Sequence, residues 1–407
     1  MELSIKPKET NIGITSLRDG LKQFIEDTGM TKAKVAQLLG LANSRVVTSI
    51  IDGKQDITLN VAYGISRLLN LSDEDFLQSS LIGIKEESQL DNDSIARCAF
   101  LYSHFDCQEL KNMGFFQKDA SDESMCDRIP SFFGYRSIYE FQQDENVVNT
   151  LFSKSKMSAN ERRSNLMQHF WIATAKASLE AMNNPYDYDR EMLLEFIKRI
   201  PSYSTDVDQG MATVISVLYR LGVTVLVQDY ITRTRSFGVS LFVNDKPCIV
   251  LTGLKQMYHK LWLTLMHELY HILQDAEYLK KVGYHISDMD RQDVFVSEEN
   301  ADRFAYHCFI NEPYNSQLET IVISDYKVYD LAKRLQIHPS MVYGIYLEQL
   351  PDSPFKNNEF KNHTYLKHLL QLKDCRIMQN IVYNPIAVEN IKEAVHSLKE
   401  RLGILTA

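Results

Sequence analysis

The residues best equipped for chemistry are His267, Glu268 and His271, inside the segment LTLMHELYHILQ from Leu263 to Gln274. On an α-helix, residues four apart lie about 40° from eclipse, so His267 and His271 share a face and can aim their imidazoles at one point. Two neutral imidazoles are good zinc ligands, and an adjacent carboxylate that stays off the metal can take a proton from water. This is the equipment of a metallopeptidase. Taken alone, the pattern is met equally well by two satisfied histidines of a core helix. The surroundings favour the metal: Leu261, Trp262, Leu265, Met266, Leu269, Ile272 and Leu273 make the segment apolar nearly all round, the mark of a buried helix. Imidazoles and a carboxylate are costly there unless something pairs them.

A catalytic zinc takes three protein ligands and keeps a fourth position for water. After a polar stretch from Gly283 to Val296, the segment SEENADRFAYHCFI reads as a second helix with Ala301, Phe304, Ala305 and Cys308 on its apolar face. Glu298 can supply the third ligand from this helix. Asp302, one turn later, can accept a hydrogen bond from the far nitrogen of a liganding imidazole. Glu299 is adjacent and stands as a substitute, and an acidic pair in a first helical turn is also favourable simply through the helix dipole. Tyr284, His285, Tyr306 and His307 are candidates, by nearness in sequence, for a donor that stabilises an oxyanion, and none is preferred.

These residues need a frame. Met211 to Leu221 reads as a helix closed by Gly222, and the run Val223 to Val227 as a strand. Phe237 to Val243 and Pro247 to Thr252 are two more strands, joined by a turn at Asn244-Asp245-Lys246. The expected order is helix, small antiparallel sheet, motif helix, in which an edge strand can line a cleft and pair with an extended substrate backbone.

The N-terminal part has a different character. Leu17, Leu21, Phe24 and Ile25 predict a helix ending at Gly29, and Thr31 caps a second with Val35, Ala36, Leu38 and Leu39 inward and Gly40 as its stop. Asn43 caps a third, Ser44 to Asp52, and Thr58 opens a fourth carrying Val61, Ile65, Leu68 and Leu69. Short helix, glycine-containing turn, short helix is the helix-turn-helix pattern. The string TKAKVAQLLGLANSRVVTSIIDGKQDITLNVAYGISRLLNLS resembles the Xre and HigA-type domains of phage repressors and antitoxins, matching at Ala36, Leu39, Gly40, Val46, Ile50, Gly53 and Leu68. The resemblance implies a third helix in the major groove, with Asn43, Ser44, Arg45, Thr48 and Ser49 near base edges or phosphates and Lys32, Lys34 and Lys54 on the DNA backbone. The other use of such a module is dimerisation or partner docking. Residues 1 to 75 hold nine Lys or Arg against ten Asp or Glu, so any DNA contact must come from local placement of charge.

The two metal-binding stretches together resemble the ImmA/IrrE family of metallopeptidases, zincins with a glutamate third ligand. The match is carried by PCIVLTGLKQMYHKLWLTLMHELYHIL and SEENADRFAYHCFI. It extends to LAKRLQIHPSMVYGIYLEQL, where Leu331, Ala332, Ile337, Pro339, Val342 and Gly344 resemble the small helical segment that closes that domain. By pattern alone this last stretch reads as a second helix-turn-helix. One departure is Tyr270, which stands where family members often have glycine and faces away from the ligand pair. The resemblance implies that His267, His271 and Glu298 hold zinc, and that Glu268 is general base and then proton donor to the leaving amine. It also implies a protein substrate such as a repressor or a toxin-antitoxin partner in phage, mobile-element or toxin-antitoxin control, with an activity that can be latent. The alternative is a non-proteolytic antitoxin or transcriptional regulator that uses the zincin fold to bind a partner. Partners are thus operator DNA, through residues 31 to 54, and a protein; a homodimer is left open.

With 407 residues, 44% hydrophobic and 24% charged, the chain has the composition of a soluble globular protein of two or three domains. No run of about 18 apolar residues occurs and the N-terminus lacks an apolar signal core, so a cytoplasmic protein without a membrane partner is expected. Cys98, Cys107, Cys126, Cys248, Cys308 and Cys375 are scattered and read as free thiols. The expected fold is mainly α with a small antiparallel sheet, an α+β zincin-like domain beside an all-α helix-turn-helix domain. The expected segments are a DNA-binding domain at 1 to 78, a helical connecting region at 79 to 200, the peptidase domain at 201 to 350 and a helical tail at 351 to 407. The connection from Ser79 to Ser94 reads as a polar linker. Between 95 and 200, Phe100, Leu101, Phe105, Leu110 and Phe115 form one apolar stripe, Ile138, Phe141, Val148, Leu151 and Phe152 another, and Arg162-Arg163 a solvated face. His363 and His368 fall off one face and read as surface residues.

Overall fold

The computed structural model describes residues 16–87, 92–141, 158–234, 236–252, 257–288, 298–350 and 381–404. Val148, Leu151, Phe152, His363, His368 and Cys375 lie outside these residues, as does most of the polar stretch 283–296. The chain divides into two compact units, 1–95 and 96–407, and its described residues are 64% helical with one five-stranded sheet.

The first unit contains α1 (Leu17–Thr28), α2 (Lys32–Leu38), α3 (Ser44–Ile51), α4 (Leu59–Leu68) and α5 (Asp73–Glu87). The local signals act as their chemistry requires. Thr31 accepts a hydrogen bond from the Lys34 amide at the start of α2, and Asn43 accepts from the amides of Arg45 and Val46 at the start of α3. Leu21, Val35, Ala36, Val47, Ile50 and Ile65 close the core. The buried Arg18 donates to the carbonyls of Ile50 and Gln55, which ties the end of α3 to α1. Two expectations fail here. Leu38 is exposed, because α2 is only two turns long and turns that side to solvent. The polar linker at 79–94 is helical through Glu87 and again from Asn92, where the next helix starts, since Asp73, Glu74 and Asp75 in the first turn of α5 suit its dipole.

α6 (Asn92–His104) spans the boundary between the units, and the second continues with α7 (Cys107–Asn112), α8 (Asp122–Phe133), a 3₁₀ turn at Ile138–Glu140 and the long α9 (Ala159–Met182). Phe105, Phe115, Phe132, Phe133 and Phe170 meet there, edge to face in most pairs. Arg163 departs from the expected solvated face: its guanidinium binds Asp106 (2.5 and 3.2 Å) and approaches Glu109 (3.4 Å), both nearly buried. Then come α10 (Arg190–Ile197), α11 (Ile200–Tyr203), α12 (Gly210–Arg220), β1 (Thr224–Gln228), β2 (Ser236–Val243), β3 (Lys246–Thr252) and α13 (Tyr258–Gln274), the motif helix. After α14 (Ala276–Val282), β4 (Tyr284–Asp288) and α15 (Glu298–Phe309) follow α16 (Leu318–Ile321), α17 (Asp325–Leu335), α18 (Pro339–Gln349), β5 (Val382–Tyr383) and α19 (Ile391–Arg401).

Asn244 and Asp245, both at positive φ (51° and 61°), make the two-residue turn from β2 to β3, whose twist suits a hairpin. The sheet order is β4-β2-β3-β1-β5, with β1 parallel to both β3 and β5 and the remaining pairs antiparallel. The sheet is therefore mixed, which corrects the antiparallel expectation. β1 lies beside β3 instead of its chain neighbour β2, and all five of its residues are buried. That burial accounts for the adjacent apolar residues Val225, Leu226 and Val227, which do not alternate with polar ones.

From Cys98 onward, residues of the segments expected at 79–200, 201–350 and 351–407 share one hydrophobic core in this unit. β5 extends the sheet, Ser178 of α9 donates to the Tyr383 hydroxyl, and Arg128 of α8 binds the carbonyls of Val388 and Glu389 just before α19. Among the described residues no helix is long and apolar enough to cross a membrane. The five described cysteines are free, and burial pushes the thiols of Cys107, Cys126, Cys248 and Cys308 up to about 11 or 12.

The pair α17 and α18 has the helix-turn-helix outline that its sequence pattern gives, with Gln336 in the left-handed turn and His338 capping α18. Yet Met341, Val342, Tyr343, Gly344, Ile345 and Leu347 of α18 are all buried, so this helix has no free face for a DNA groove. It packs on α13 instead, where a Cβ at Gly344 would stand 2.2 Å from Cδ2 and 2.5 Å from Cγ of the buried His259 ring. Neither partner can yield, so Gly344→Ala should destabilise the second unit by about 1–3 kcal/mol. Thermal unfolding measures it, and an unchanged midpoint would refute the close crossing.

Candidate metal centre

α13 lies on β2 and β3 and against α15, and the side chains of Tyr258 through Leu269 and His271 through Leu273 are buried except for the partly exposed Lys260. One face presents His267 and His271 to α15, while Glu268, about 100° further round, points at β2. His267 Nε2 and His271 Nε2 are 3.1 Å apart. Glu298, in the first turn of α15, places Oε2 3.1 Å from His267 Nε2 and Oε1 3.6 Å from His271 Nε2. One donor atom from each of the three lies within 4.8 Å of the other two. Glu299 is exposed and takes no part in this cluster.

The far nitrogens are held as well. His267 Nδ1 is 2.9 Å from Asp302 Oδ1, and His271 Nδ1 is 2.8 Å from Asp275 Oδ2. In neutral imidazoles the Nδ1 proton is then donated to the carboxylate, which leaves both Nε2 lone pairs facing each other and Glu298. Three acceptors turned inward repel one another unless positive charge lies among them. Burial disfavours the His267 cation, yet the Asp302 and Glu298 carboxylates outweigh it and push the imidazole up to about 10. Burial likewise opposes the Glu298 anion, and the bonds from His267 and His285 override it and hold that carboxyl well below the usual range. The arrangement therefore favours positive charge among the three side chains.

Glu268 is wholly buried. Ser240 of β2 donates to its Oε2 at 2.6 Å, whereas Oε1 has no hydrogen-bond partner among the described residues. Gly238, on the same face of β2, permits this placement: a Cβ there would stand 2.3 Å from Oε1 and 2.7 Å from Cδ. β4, the sheet's edge on this side, brings in His285, whose Nε2 lies 2.7 Å from Glu298 Oε1 and whose ring is 4.8 Å from that of His271. Of the other oxyanion candidates, His307 is half exposed and faces Glu312 at 3.6 Å, so it serves elsewhere. Tyr306 is largely enclosed, its phenol pushed up by burial and then by Asp302 and Glu348. Tyr284 sits on β4 opposite Leu241. Tyr270 packs its ring on Phe304 and meets the His271 ring edge to face at 5.8 Å, so it does not face away from the ligand pair as expected.

Asp275, Gly238, Ser240 and His285 have supporting roles that the sequence reading did not assign. Asp275 alone carried a local signal, being one helical turn beyond His271.

In the first unit Lys32, Lys34, Asn43, Arg45 and Lys54 are exposed and Ser44, Thr48 and Ser49 partly so. Several are engaged locally: Lys32 with Thr48 at 3.3 Å, Lys34 with Gln37 at 3.2 Å, Lys54 with Asp52 at 3.4 Å, and Asn43 as the α3 cap. Arg45 stands exposed in the first turn of α3.

Comparison of the chain with known protein families, curated proteins and solved structures finds no match.

Proposed function

We propose that the chain is a zinc-dependent endopeptidase of the ImmA/IrrE kind, with a zincin-like second unit, fused to a DNA-binding helix-turn-helix head. The observation that carries the enzymatic reading is the inward-facing set of His267, His271 and Glu298 with both Nδ1 atoms anchored on carboxylates. Two nitrogens bound to one tetrahedral zinc at about 2.0–2.1 Å are roughly 3.3 Å apart. The separations of 3.1 Å between the two Nε2 atoms and 3.1 Å between Glu298 Oε2 and His267 Nε2 fit such a face. Zinc held there would supply Lewis-acid polarisation of a substrate carbonyl and would acidify a water molecule.

The chain's own residues supply the rest. The Glu268 carboxylate, fixed through Oε2 by Ser240, has Oε1 left to take a proton from the attacking water. The water oxygen bonds to the carbonyl carbon, the C–N bond breaks, and Glu268 returns the proton to the leaving amine nitrogen. Asp302 and Asp275 keep the imidazoles turned inward throughout. An extended substrate can pair with the outer edge of β4, which lies beside the cluster. The substrate class that fits a repressor-like head is a protein regulator, such as a repressor or toxin-antitoxin partner.

Metal analysis of the purified chain tests this: one zinc per chain is expected, and a protein carrying none under non-chelating conditions would end the enzymatic reading. A second reading draws on the complete burial of Glu268 and His271. A base so enclosed fits a latent peptidase, or a regulator that uses the unit only to bind a partner.

For the head, Arg45 is the exposed cation placed to reach bases or phosphates from α3. Arg45→Ala should weaken operator binding by about 1–3 kcal/mol with the unit still folded. Gel retardation and circular dichroism read the two quantities, and unaltered retention would remove α3 from the groove.

A further inference from the structure

We propose that His285 is a positioning residue for Glu298, and that the cross-strand pair Ser240–His285 sets the catalytic base and the third ligand against each other. This role presupposes the metal site proposed above. Ser240 on β2 and His285 on β4 are direct partners in the antiparallel register. Side chains directly opposite across such a pair lie on the same face of the sheet, here the face that carries α13 and α15. Ser240 reaches Glu268 Oε2 at 2.6 Å and His285 reaches Glu298 Oε1 at 2.7 Å. One rung of the ladder thus touches both working carboxylates, which come from two different helices.

The physical need is specific. The terminal torsion of a glutamate is broad, so a carboxylate on a partly exposed side chain samples many orientations. Glu298 keeps 30% of its side chain exposed, whereas His285 keeps only 5%. An N–H from the rigid, buried partner occupies Oε1 and turns Oε2 toward His267 Nε2 at 3.1 Å. The imidazole Nε2 must carry the proton to do this, so it is a donor to the ligand and not itself a ligand. The set of three whose donor atoms cluster within 4.8 Å does not include it. The ring has little freedom to turn away, because it meets His271 at 4.8 Å and 61°.

The test compares zinc affinity in the full-length wild type, His285→Leu and His285→Gln by competition with a chromophoric chelator, with circular dichroism of the metal-free proteins as the check on folding. Losing an outer-shell partner of this kind costs about 10–100-fold in affinity, the loss expected for His285→Leu, while His285→Gln, which returns an N–H donor, should stay within about threefold of wild type. If His285→Leu does not fold, His285→Asn, too short to reach Oε1, replaces it with the same expected loss. A donor-free variant that binds zinc as tightly as wild type overturns the proposal. So does a folded His285→Gln that is as weak as His285→Leu, since space and not the donor would then matter. A wild type that binds no zinc overturns the metal reading itself, and the wild-type arm alone reveals that outcome.

Discussion

Glu268→Gln is expected to keep its zinc and to cleave a co-encoded repressor about 10²- to 10⁴-fold more slowly than wild type, the range for removing a positioned general base. Glutamine has nearly the same volume, can still accept from Ser240, and fits against Gly238 as the carboxylate does. What it cannot do is take a proton from water. Because Glu268 is bonded to β2 and is not one of the three clustered ligands, metal content should be unchanged, which separates a lost base from a lost site. Steady-state cleavage together with metal analysis checks both halves. Equal cleavage by the variant would sink the assignment of the base. A zinc-loaded wild type that cleaves nothing, while still retaining the partner protein, would favour the partner-binding alternative.

The parts of this centre that were legible in the sequence are those that depend on local periodicity. The spacing of His267 and His271 places two imidazoles on one face whatever the tertiary fold, and Glu298 and Asp302 are one turn apart on the next long helix. In the first unit Thr31 and Asn43 act through backbone amides two or three residues away, so their caps can be read directly. Ser240 and His285 are different: their meeting is set by the register of β2 with β4, a pairing of segments about 45 residues apart. β4 is itself hidden, because Tyr-His-Ile-Ser-Asp is short and polar, as edge strands often are, and merges with the polar stretch from Gly283 to Val296. The parallel pairing of β1 with β3, and with the two-residue β5 from a segment read as tail, is likewise a tertiary choice that no local pattern announces.

Removing the metal is the perturbation expected to move stability most. A ligand bound only by the folded chain stabilises it by RT ln(1 + [L]/Kd), about 2.7 kcal/mol at a hundredfold excess over Kd. For a unit of this size that is a rise of several degrees in the unfolding midpoint. Without a cation the inward-facing lone pairs of His267 and His271 and the Glu298 carboxylate stand 3.1–3.6 Å apart and rely on a shared proton. His271 is the sharpest place to test this, being fully buried and anchored by Asp275 from its own helix. His271→Ala removes one donor and leaves Asp275 without its imidazole. Zinc added to chelator-stripped wild type should therefore raise the midpoint and restore cleavage, and the same zinc should do neither for folded His271→Ala. A midpoint that responds to zinc equally in both proteins would place the metal elsewhere in the chain, and one that responds in neither would leave the cluster holding a proton alone.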